Sequence, residues 1–495
     1  MTIVKMILVL VVFVGLVQKA SMFLVQPNTK TSPPSSIKDF TRVIGSIDSN
    51  ETVVTYLNGS IYGRLNTGPL QMLFLFEGYN INRKVPLPDG SYQSLSREFV
   101  VYRDIHTRKI KTVFENPFNN LTNEVFPVAN DPVNAKLTKN GDYSSFFIPN
   151  ELAVYDNNYI LEYPNVLDPK IYPEYSAGKI YDAAELFTYF ANMTDINNAS
   201  KPNVPNTVTW SRHCQFLPWM EMGPTKGSLF YSALSWKCLN GLSCVPKDII
   251  NIVSTKYKTF LKAPKTFDDP NETSWSVFKK IIDNRRHNKL PDIIIPQVNV
   301  SVNVSIVEPY VDNRILRCLY RSNFRVNFNA SILTQIYGQQ SINLLNLKGQ
   351  ANITTSRVTS NSEAQMQVST NGLFIDSKTK MPISIWYNPF TNKTVDVPIL
   401  NLTETWNLTK DTSYSINMKD IDSIGLSVVS EQYSNAKTNQ NWCVSVTNFI
   451  FREVELQKTK SKLFGSFHRY SNWFKWMEMG EQEGTLVVKA IFSTE

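Results

Sequence analysis

The pentapeptide WMEMG occurs twice in this chain, at residues 219–223 and 476–480, and each copy is followed by a Gly and an apolar, strand-like run. Trp and Met are rare, with 9 and 12 occurrences in 495 residues, so chance is a poor explanation for the repeat. The chain is therefore predicted to contain one structural unit twice. What the second copy keeps should serve the fold, and what it drops is a candidate for function.

Residues outside the pentapeptide can also be placed in register between the two copies. The first copy has Tyr102, Asp104, Thr107, Val113, Phe114, Asn116, Pro117 and Phe118 where the second has Phe374, Asp376, Thr379, Ile385, Trp386, Asn388, Pro389 and Phe390. Further on, Arg212, Trp219, Glu221, Gly223, Gly227 and Leu229 match Arg469, Trp476, Glu478, Gly480, Gly484 and Leu486. Asp-x-x-Thr between two strands indicates a turn, because the short polar side chains bond nearby backbone. Matches at both ends of the unit favour a duplicated domain over a duplicated hairpin.

Length and composition indicate a globular protein of two domains. A chain of 495 residues exceeds the usual size of a single core. The formal net charge is +8 and the sequence pI is near 9.0, but the Lys and Arg residues are dispersed. The densest basic run, NRRHNK at residues 284–289, is short and typical of a solvated linker or helix end. Nucleic-acid binding is therefore not predicted.

The N-terminus has the pattern of a secretory signal peptide over residues 1–21. Lys5 precedes an uninterrupted apolar run at residues 6–17, which is too short to span a bilayer, and small residues follow at Ala20 and Ser21. An uncleaved anchor is the alternative. We expect a secreted protein with no stable membrane span.

Thirteen N-x-[ST] sequons agree with export through a eukaryotic secretory route. Each alone is weak because the chain is rich in Asn, Ser and Thr, but together with the leader they predict a glycoprotein. The acceptor residues are Asn50, Asn58, Asn120, Asn192, Asn198, Asn271, Asn299, Asn303, Asn329, Asn352, Asn392, Asn401 and Asn407.

The chain has five cysteines, Cys214, Cys238, Cys244, Cys318 and Cys443. In an oxidising compartment an odd count leaves one thiol free or paired with another chain. The predicted pairs are one among the first three and Cys318 with Cys443, so that each bridge stays within one half. The spacing matches no zinc framework, and no metal or cofactor is predicted.

The secondary structure is predicted to be mainly β. Short apolar and β-branched runs between turn residues indicate antiparallel strands over residues 53–132, with further strands at residues 207–212 and 227–236. Three segments are predicted to be helical, at residues 179–191, 246–261 and 272–283.

The predicted domain boundary is a polar, Pro-bounded linker at residues 289–297. It separates an intact first domain, residues 40–288, from a diverged second β domain, residues 289–495. The second domain begins with the strictly alternating run VNVSVNVSI at residues 298–306, which predicts a half-buried strand, and it contains no convincing long helix.

The first copy resembles domain-of-unknown-function family eighteen-thirty-eight. The resemblance runs in order through FEGYN (76–80), LSREFVVYRD (95–104), ENPF (115–118), NDPVN (130–134), YPEYSAG (172–178), AAELFTYF (183–190), FLPWMEMG (216–223) and NETSWSVFKK (271–280). The activity of that family is not established, so the resemblance implies a fold alone. It implies a mainly β (α+β) protein of two calycin-like antiparallel barrels or curved sheets in tandem, with a few helices in the first. The C-terminal half resembles a diverged copy that lacks the AAELF and NETSW helices.

Residues that the second copy has lost are candidates for chemistry. The NDPVN cluster falls opposite residues 402–406, which retain none of it. Asn130, Asp131 and Asn134 could form a polar site at a barrel mouth. The alternative is a turn whose side chains bond their own backbone.

Three charged residues are further candidates. Strand alternation places Arg97 and Glu98 on opposite faces of a sheet, so they do not form a simple pair. Glu98 could be a base or an orienting carboxylate if it faces inward beside an arginine, and a solvated strand residue if it faces outward. Glu185, on the predicted helix with Phe187 and Phe190 nearby, could point at a cavity or stand on the helix surface.

The WMEMG segment is predicted to be scaffold because both copies keep it. Trp219 can fill a core, and Glu221 is predicted to pair with Arg212, whose counterpart Arg469 is kept beside Glu478. A ligand-binding role for Arg212, Trp219 and Glu221 is the alternative.

The sequence contains no G-x-S-x-G, H-E-x-x-H, P-loop or dinucleotide fingerprint after a strand. The leading hypothesis is a secreted glycoprotein that binds a small, largely apolar molecule in a β-barrel cavity of the first domain. The alternative is an isomerase, cyclase or oxidoreductase that acts on such a molecule by carboxylate acid–base chemistry through Glu98, Asp131 or Glu185. A third hypothesis is a structural or recognition glycoprotein.

Overall fold

A computed structural model of the protein describes residues 36–129, 134–139, 145–148, 152–267, 274–287, 310–335, 341–358, 364–435, 440–480 and 484–494. Within these residues the chain is mainly β, and most strands belong to two large antiparallel sheets. This confirms the predicted fold class of two curved sheets in tandem. Several predictions lie outside the described residues: the signal peptide at 1–21, the linker at 289–297, the strand at 298–306, and the sequons at Asn271, Asn299 and Asn303.

The first copy contributes twelve strands. They are β1 (Val53–Leu65), β2 (Gln71–Pro86), β3 (Tyr92–Arg103), β4 (Val113–Glu115), β5 (Thr122–Glu124), β6 (Val128–Ala129), β7 (Ala135–Leu137), β8 (Ser145–Ile148), β9 (Leu152–Pro164), β10 (Ile180–Asn192), β11 (Asn206–Cys214) and β12 (Gly227–Lys237). Ten of them form one sheet in the order β6-β3-β2-β1-β12-β11-β10-β9-β8, with β7 also paired to β3, and β4 and β5 form a separate hairpin. Strands β11 and β12 confirm the predictions at 207–212 and 227–236.

The second copy contributes eleven strands with the same connectivity. They are β13 (Phe324–Gln335), β14 (Asn343–Arg357), β15 (Ala364–Asp376), β16 (Ile385–Asn388), β17 (Lys393–Asp396), β18 (Leu400–Leu408), β19 (Ser413–Met418), β20 (Ser423–Asn435), β21 (Gln440–Arg452), β22 (Phe464–Ser471) and β23 (Thr485–Thr494). Nine form a sheet in the order β18-β15-β14-β13-β23-β22-β21-β20-β19, and β16 pairs with β17. Each strand of this sheet takes the place of a first-copy strand, so the duplication covers the whole sheet.

Five α-helices accompany the sheets within the described residues. They are α1 (Ile37–Ile44), α2 (Met193–Asn197), α3 (Lys247–Lys256), α4 (Ser274–Arg286) and α5 (Asn313–Arg321). Helices α3 and α4 confirm the predictions at 246–261 and 272–283, and a 3-10 turn at Lys258–Leu261 continues the first. Helix α5 was not predicted; the Asp312 side chain caps it by accepting from the Arg314 backbone N–H. None of the described helices is long and apolar enough to cross a bilayer.

The predicted helix at residues 179–191 is wrong, because this segment forms strand β10. The strand lies between β9 and β11. Ala184 and Leu186 are buried against the second sheet, while Glu185 and Phe187 alternate with them on the other face and are half-buried. Because both faces carry apolar residues, the Ala, Leu and Phe residues can imitate helical spacing. The second copy keeps the equivalent strand, β21, and so has not lost this element.

The two sheets pack against each other through a partly polar interface. Ser232 Oγ lies 2.6 Å from Ser427 Oγ. Ser211 Oγ lies 2.7 Å from both His468 Nδ1 and Tyr470 Oη. These groups are buried, and a buried polar group is costly unless it is hydrogen-bonded. The interface therefore fixes the two sheets by paired polar contacts as well as by apolar packing.

The predicted Asp-x-x-Thr turns are present in both copies. Asp104 Oδ1 accepts from the backbone N–H of Thr107 at 2.8 Å, and Asp376 Oδ1 accepts from that of Thr379 at 2.6 Å. Each turn connects the third strand of its sheet to the small hairpin that follows. Local polar chemistry therefore set this part of the fold in both halves, as the sequence indicated.

The WMEMG segments have the same backbone conformation in both copies. Each contains a 3-10 turn, at Pro218–Met220 and at Lys475–Met477. The glutamate that follows, Glu221 or Glu478, adopts the left-handed region with φ of 53° and 49°. Few non-Gly residues adopt this region, so its occurrence at both positions indicates one conserved turn.

A buried asparagine holds each WMEMG turn in place. Asn116 Nδ2 donates to Met220 O at 2.8 Å, and its Oδ1 accepts from the Phe118 backbone N–H at 3.0 Å. In the second copy Asn388 Nδ2 donates to Met477 O at 2.6 Å, and its Oδ1 likewise accepts from Phe390 N–H. The Asn-Pro-Phe turn and the WMEMG turn thus form one unit, in agreement with the predicted scaffold role.

One of the two disulfide predictions is wrong. Cys238 and Cys244 are bonded to each other, which agrees with one bridge among the first three cysteines. Cys318 and Cys443 are free rather than paired. Cys318 is buried on α5, whereas Cys443 lies on β21 with its thiol directed to Gln432 Oε1. Cys214 is also free and buried.

Candidate functional site

The strand register of the first sheet brings a row of polar side chains onto one face. Glu185 on β10 lies opposite Arg212 on β11, and Arg212 lies opposite Tyr231 on β12. On β3, Glu98 lies opposite Asn80 of β2. Alternate residues of a strand share a face, so these side chains project from the same side of the sheet.

This face is concave. Phe76 on β2 and Trp210 on β11 have two strands between them in the sheet, yet their ring centroids are 5.7 Å apart. In a flat sheet these strands would lie roughly 14 Å apart, so the sheet curls toward this face. The other face, by contrast, packs on the second sheet.

Three residues form the charged cluster of this concave face: Glu98, Glu185 and Arg212. Arg212 Nη1 lies 3.0 Å from Glu185 Oε1, with side chains only 15% and 16% exposed. Arg212 Nη2 also donates to Tyr181 Oη at 2.6 Å, and the guanidinium lies 5.7 Å from the ring centroid of Tyr231. A guanidinium in this setting stays charged and fixes the carboxylate beside it.

The environment of Glu98 favours its protonated form. Burial, followed by the negative charge of Glu185, raises the pKa of Glu98 to about 7, against the opposing influence of Arg212 and of a hydrogen bond with Asn80. Glu98 thus can hold or release a proton near neutral pH. The conditional prediction that Glu98 matters if it faces inward beside an arginine meets its condition, although the arginine is Arg212 and not Arg97.

Aromatic side chains form a wall beside the charged cluster. Phe187 and Trp210 are cross-strand neighbours with stacked rings 5.9 Å apart. Trp210 also lies 5.7 Å from Phe76, and Phe187 lies 6.0 Å from Tyr159, whose side chain is 37% exposed. Phe187, Trp210 and Tyr189 are half-buried, so their ring faces remain partly open to a ligand.

One end of the concavity is closed by packed aromatic rings. The Trp219 ring centroid lies 5.4 Å from that of Tyr102 and 6.1 Å from that of Phe114. Trp476 packs in the same way on Phe374 and Trp386 in the second copy. The predicted core role of Trp219 agrees with this packing.

The predicted pair of Glu221 with Arg212 is wrong. Arg212 pairs with Glu185, and Arg469 pairs with Glu404 on β18. The left-handed turn places Glu221 after the 3-10 segment, away from β11, and its carbonyl accepts from Asn119. The sequence did not predict Glu185 as the partner of Arg212 because the segment that contains Glu185 has the spacing of a helix.

Arg97 and Asn134 lie away from the concave face and have structural partners. Arg97 Nη1 donates to the carbonyls of Thr259 and Lys262, on the outer side where the turn after α3 packs. Asn134 Oδ1 accepts from Ser96 N–H at 3.0 Å, and its Nδ2 donates to Phe267 O. Asn134 thus bonds distant backbone and not its own, so this contact is not the turn that the sequence offered as the alternative. Asn130 and Asp131 lie outside the described residues.

The second sheet keeps the arginine and loses the rest of the cluster. Strand register places Ser445 where the first copy has Glu185, since each lies opposite the arginine of the next strand. Thr447 replaces Phe187 and is buried, and Phe467 replaces Trp210. Phe467 stacks on Trp406 with an interplanar angle of 10°, which fills this concavity. The Arg469 partner, Glu404, is 6% exposed and comes from β18 instead.

Small cavities lie toward the ends of both concave faces. In the first copy Tyr181, Gln215 and Phe216 line a space of about 10 Å³, which holds one water molecule at most. In the second copy a more open pocket of about 190 Å³ is lined by Arg469, Ser471 and neighbouring aromatic rings. Neither of these two spaces is lined by Glu98, Glu185 or Arg212.

Sequence reasoning missed several residues of this site: Asn80, Tyr181, Trp210 and Tyr231. A period-two signal was available, because Tyr181, Glu185, Phe187 and Tyr189 occupy odd positions of one segment. Reading that segment as a strand would have placed them on one face.

Glu98→Gln is expected to remove a pH dependence of stability. The folded pKa near 7 lies above the ordinary value of 4.5, so the folded state binds the proton more tightly than the unfolded state. The resulting stability is fully present below pH 4.5 and is lost as the pH rises through 7. Denaturant unfolding at acidic and alkaline pH should show the wild type losing on the order of 2 kcal/mol relative to the variant. Equal pH slopes in the two proteins would show that Glu98 is an ordinary solvated carboxylate.

The fold and this site define a class: a protein of two tandem curved antiparallel sheets, of which the first has a charged, aromatic concave face. The chain belongs to the family described as Protein of unknown function (DUF1838), whose model matches residues 50–282 and 322–494. The two matched segments confirm both the resemblance and the internal duplication.

Similarity to other known proteins is weak. No curated protein matches the chain. CdiB from Acinetobacter baumannii aligns with 9% identity and a TM-score of 0.15, covering 89% of this chain and 60% of that one. OmpF from Salmonella typhi in complex with daunomycin aligns with 5% identity and a TM-score of 0.16, covering 89% of this chain and 96% of that one. OccK9 from Pseudomonas aeruginosa aligns with 6% identity and a TM-score of 0.17, covering 91% of this chain and 99% of that one. TM-scores this low carry no argument about fold or function.

Proposed function

We propose that the concave face of the first sheet binds a small, largely apolar molecule. The observation that carries the proposal is the difference between the two copies. The first keeps half-exposed aromatic rings beside Glu98, Glu185 and Arg212. The second has Thr447 in place of Phe187 and stacks Phe467 on the buried Trp406, and its pocket lies farther along the face, beside Arg469. Half-exposed aromatic rings next to a fixed polar cluster are typical of ligand sites.

The chemistry of the face indicates what the ligand carries. Stacked Phe187 and Trp210 favour a flat or ring-bearing apolar part. Trp210 Nε1 is buried and has no hydrogen-bond acceptor among the described residues, and the Arg212 guanidinium donates nearby. Both groups suit an oxygen acceptor on the ligand, such as a carbonyl, hydroxyl or carboxylate.

The enzymatic alternative depends on Glu98 and Glu185. A carboxyl group with a pKa of about 7 beside a second carboxyl group is an arrangement that acid–base catalysis uses. If the wild type converts a bound molecule to a product and the Glu98→Gln variant does not, the protein is an enzyme and the binding proposal is replaced.

We further propose that the protein is a secreted glycoprotein. The leader pattern at residues 1–21 and the sequons support this, and the Cys238–Cys244 disulfide suits an oxidising compartment. An inter-chain disulfide through one of the free cysteines stays a prediction. Cys443 suits it best because Cys214 and Cys318 are buried, whereas Cys443 is partly exposed.

Native mass spectrometry of the protein purified from its source tests the binding function. We expect a discrete mass excess from a co-purified small molecule, lost on mild activation. The same preparation of Trp210→Ala should lack this excess, because the variant removes the stacked wall. A wild-type protein without any bound molecule, together with no binding in ligand screens, would overturn the proposal.

A further inference from the structure

The outer face of the second sheet carries a cluster of sequon asparagines. Asn329 lies on β13, Asn352 on β14, and Asn401 and Asn407 on β18, and all four side chains are exposed. They project from the face opposite the filled concavity, since their neighbours Phe328, Ile353, Leu408 and others in alternate positions are buried. Their strands are joined through β15 in one continuous part of the sheet.

The equivalent face of the first sheet is covered by protein. Tyr79 Oη donates to Phe260 O at 2.9 Å, and Phe99 packs on Tyr257 of the segment after α3. Arg103 bonds Asp248 of α3 at 2.8 Å. Among the described residues, no helix takes the place of α3 on the outer face of β13, β14, β15 and β18.

The four asparagines are chemically available for modification. Among the described residues none of their Nδ2 atoms donates a hydrogen bond, and Asn407 Oδ1 accepts from Gln365 Nε2 at 3.1 Å. Most cross-strand partners are polar, as with Arg325 opposite Asn352, and Asn329 lies between the exposed Lys348 and the buried Ile491. An N-glycan on Nδ2 would point into solvent without displacing a packed group.

The repeat supplies a matched comparison, because Asn58 and Asn329 occupy equivalent positions of β1 and β13. Asn58 lies opposite Glu77 and Leu234, which are both buried, and its carbonyl accepts from Tyr414 Oη. Asn329 lies opposite the buried Ile491 and the exposed Lys348, and its own side chain is exposed. The same sequon is therefore half-buried in the first copy and open in the second.

We infer that the outer face of the second sheet is an N-glycan-bearing surface, with glycans at Asn329, Asn352, Asn401 and Asn407 providing the cover that α3 gives the first sheet. This rests on the export part of the proposed function and is independent of ligand binding. A glycan-covered face is closed to tight protein docking, so the second copy presents no partner surface on this side.

Site-specific mass spectrometry of the full chain secreted from eukaryotic cells tests the inference. We expect glycan on most molecules at the four asparagines and no glycan on Asn58. Equal occupancy of Asn58 and Asn329, or bare asparagines on this face with glycan at Asn50 and Asn120, would overturn the inference and leave export standing. Absence of glycan from every sequon would overturn both.

A second measurement tests the covering role. A variant with all four asparagines changed to glutamine keeps a polar face, and its secreted yield should fall several-fold. The matched control changes the exposed sequons Asn50, Asn120 and Asn198 to glutamine and should secrete normally. Equal yields from the two variants would show that the glycans do not act as cover.

Discussion

Replacing Arg212 with leucine is expected to destabilise the protein by about 3 kcal/mol or more, because it leaves buried carboxylates without a positive partner. Arg212 is the cation that pairs with Glu185, and its charge also opposes the rise in the pKa of Glu98. Without it, both carboxyl groups must lose their charge or draw in water. Urea unfolding at neutral pH measures the loss.

The second copy supplies the matched control for this prediction. Arg469→Leu removes the partner of Glu404, which is 6% exposed, and should cost a similar free energy of unfolding. Only Arg212→Leu should also abolish ligand binding. A loss below about 1 kcal/mol for Arg212→Leu would place the pair among solvated surface ion pairs and contradict its role in the site.

Replacing Asn116 or Asn388 with alanine is expected to destabilise the protein by about 2–4 kcal/mol each, because both side chains make buried hydrogen bonds. Asn388→Ala leaves the Met477 carbonyl without its side-chain donor, and Asn116→Ala leaves the Met220 carbonyl with the half-buried Asn119 as its side-chain donor. Both asparagines are buried, and each joins its Asn-Pro-Phe turn to its WMEMG turn. Thermal or urea unfolding of the two variants measures the effect.

Asn119→Ala is the control for the asparagine variants. Its Nδ2 also donates to Met220 O, at 3.1 Å, but its side chain is half-buried, so water can replace it. Asn119→Ala should lower the free energy of unfolding clearly less than Asn116→Ala does. If all three variants unfold like the wild type, WMEMG is not held by this contact and its scaffold role would have to be explained otherwise.

Local chemistry made much of the fold predictable from the sequence. The Asp-x-x-Thr and Asn-Pro-Phe turns depend on side chains that bond backbone two or three residues away, so both copies formed as expected. Strands β11 and β12 and helices α3 and α4 also follow their sequence patterns. The scaffold role of WMEMG could be predicted because the segment occurs in both copies, and recognising a repeat requires no knowledge of its contacts.

The site was harder to predict because it depends on register between distant strands. Glu98 and Glu185 are separated by 87 residues and by four strands of the sheet, as their numbers and the strand order show. Their proximity follows from the curl of the sheet, which no local pattern encodes. The error at residues 179–191 compounded this, since a helix would have turned Glu185 and Phe187 to different positions.

The disulfide error has a similar origin. The predicted bridge between Cys318 and Cys443 rested on their lying in the same half of the chain. Sequence position does not determine the distance between α5 and β21, and both thiols are free. Cys238 and Cys244, six residues apart, follow from the turn that closes β12. The sequence predicted one bridge among Cys214, Cys238 and Cys244 without choosing the pair, and its second predicted bridge was wrong.

The most direct test of the central claim compares Trp210→Ala with Phe467→Ala, which remove equivalent aromatic rings from the two concave faces. Binding is measured by fluorescence titration with anilinonaphthalene sulfonate, an aromatic anion that suits the rings and Arg212. We predict that Trp210→Ala weakens binding about ten-fold or more and that Phe467→Ala leaves it unchanged. Equal weakening in both variants, or weakening in Phe467→Ala alone, would contradict the assignment of the site to the first copy.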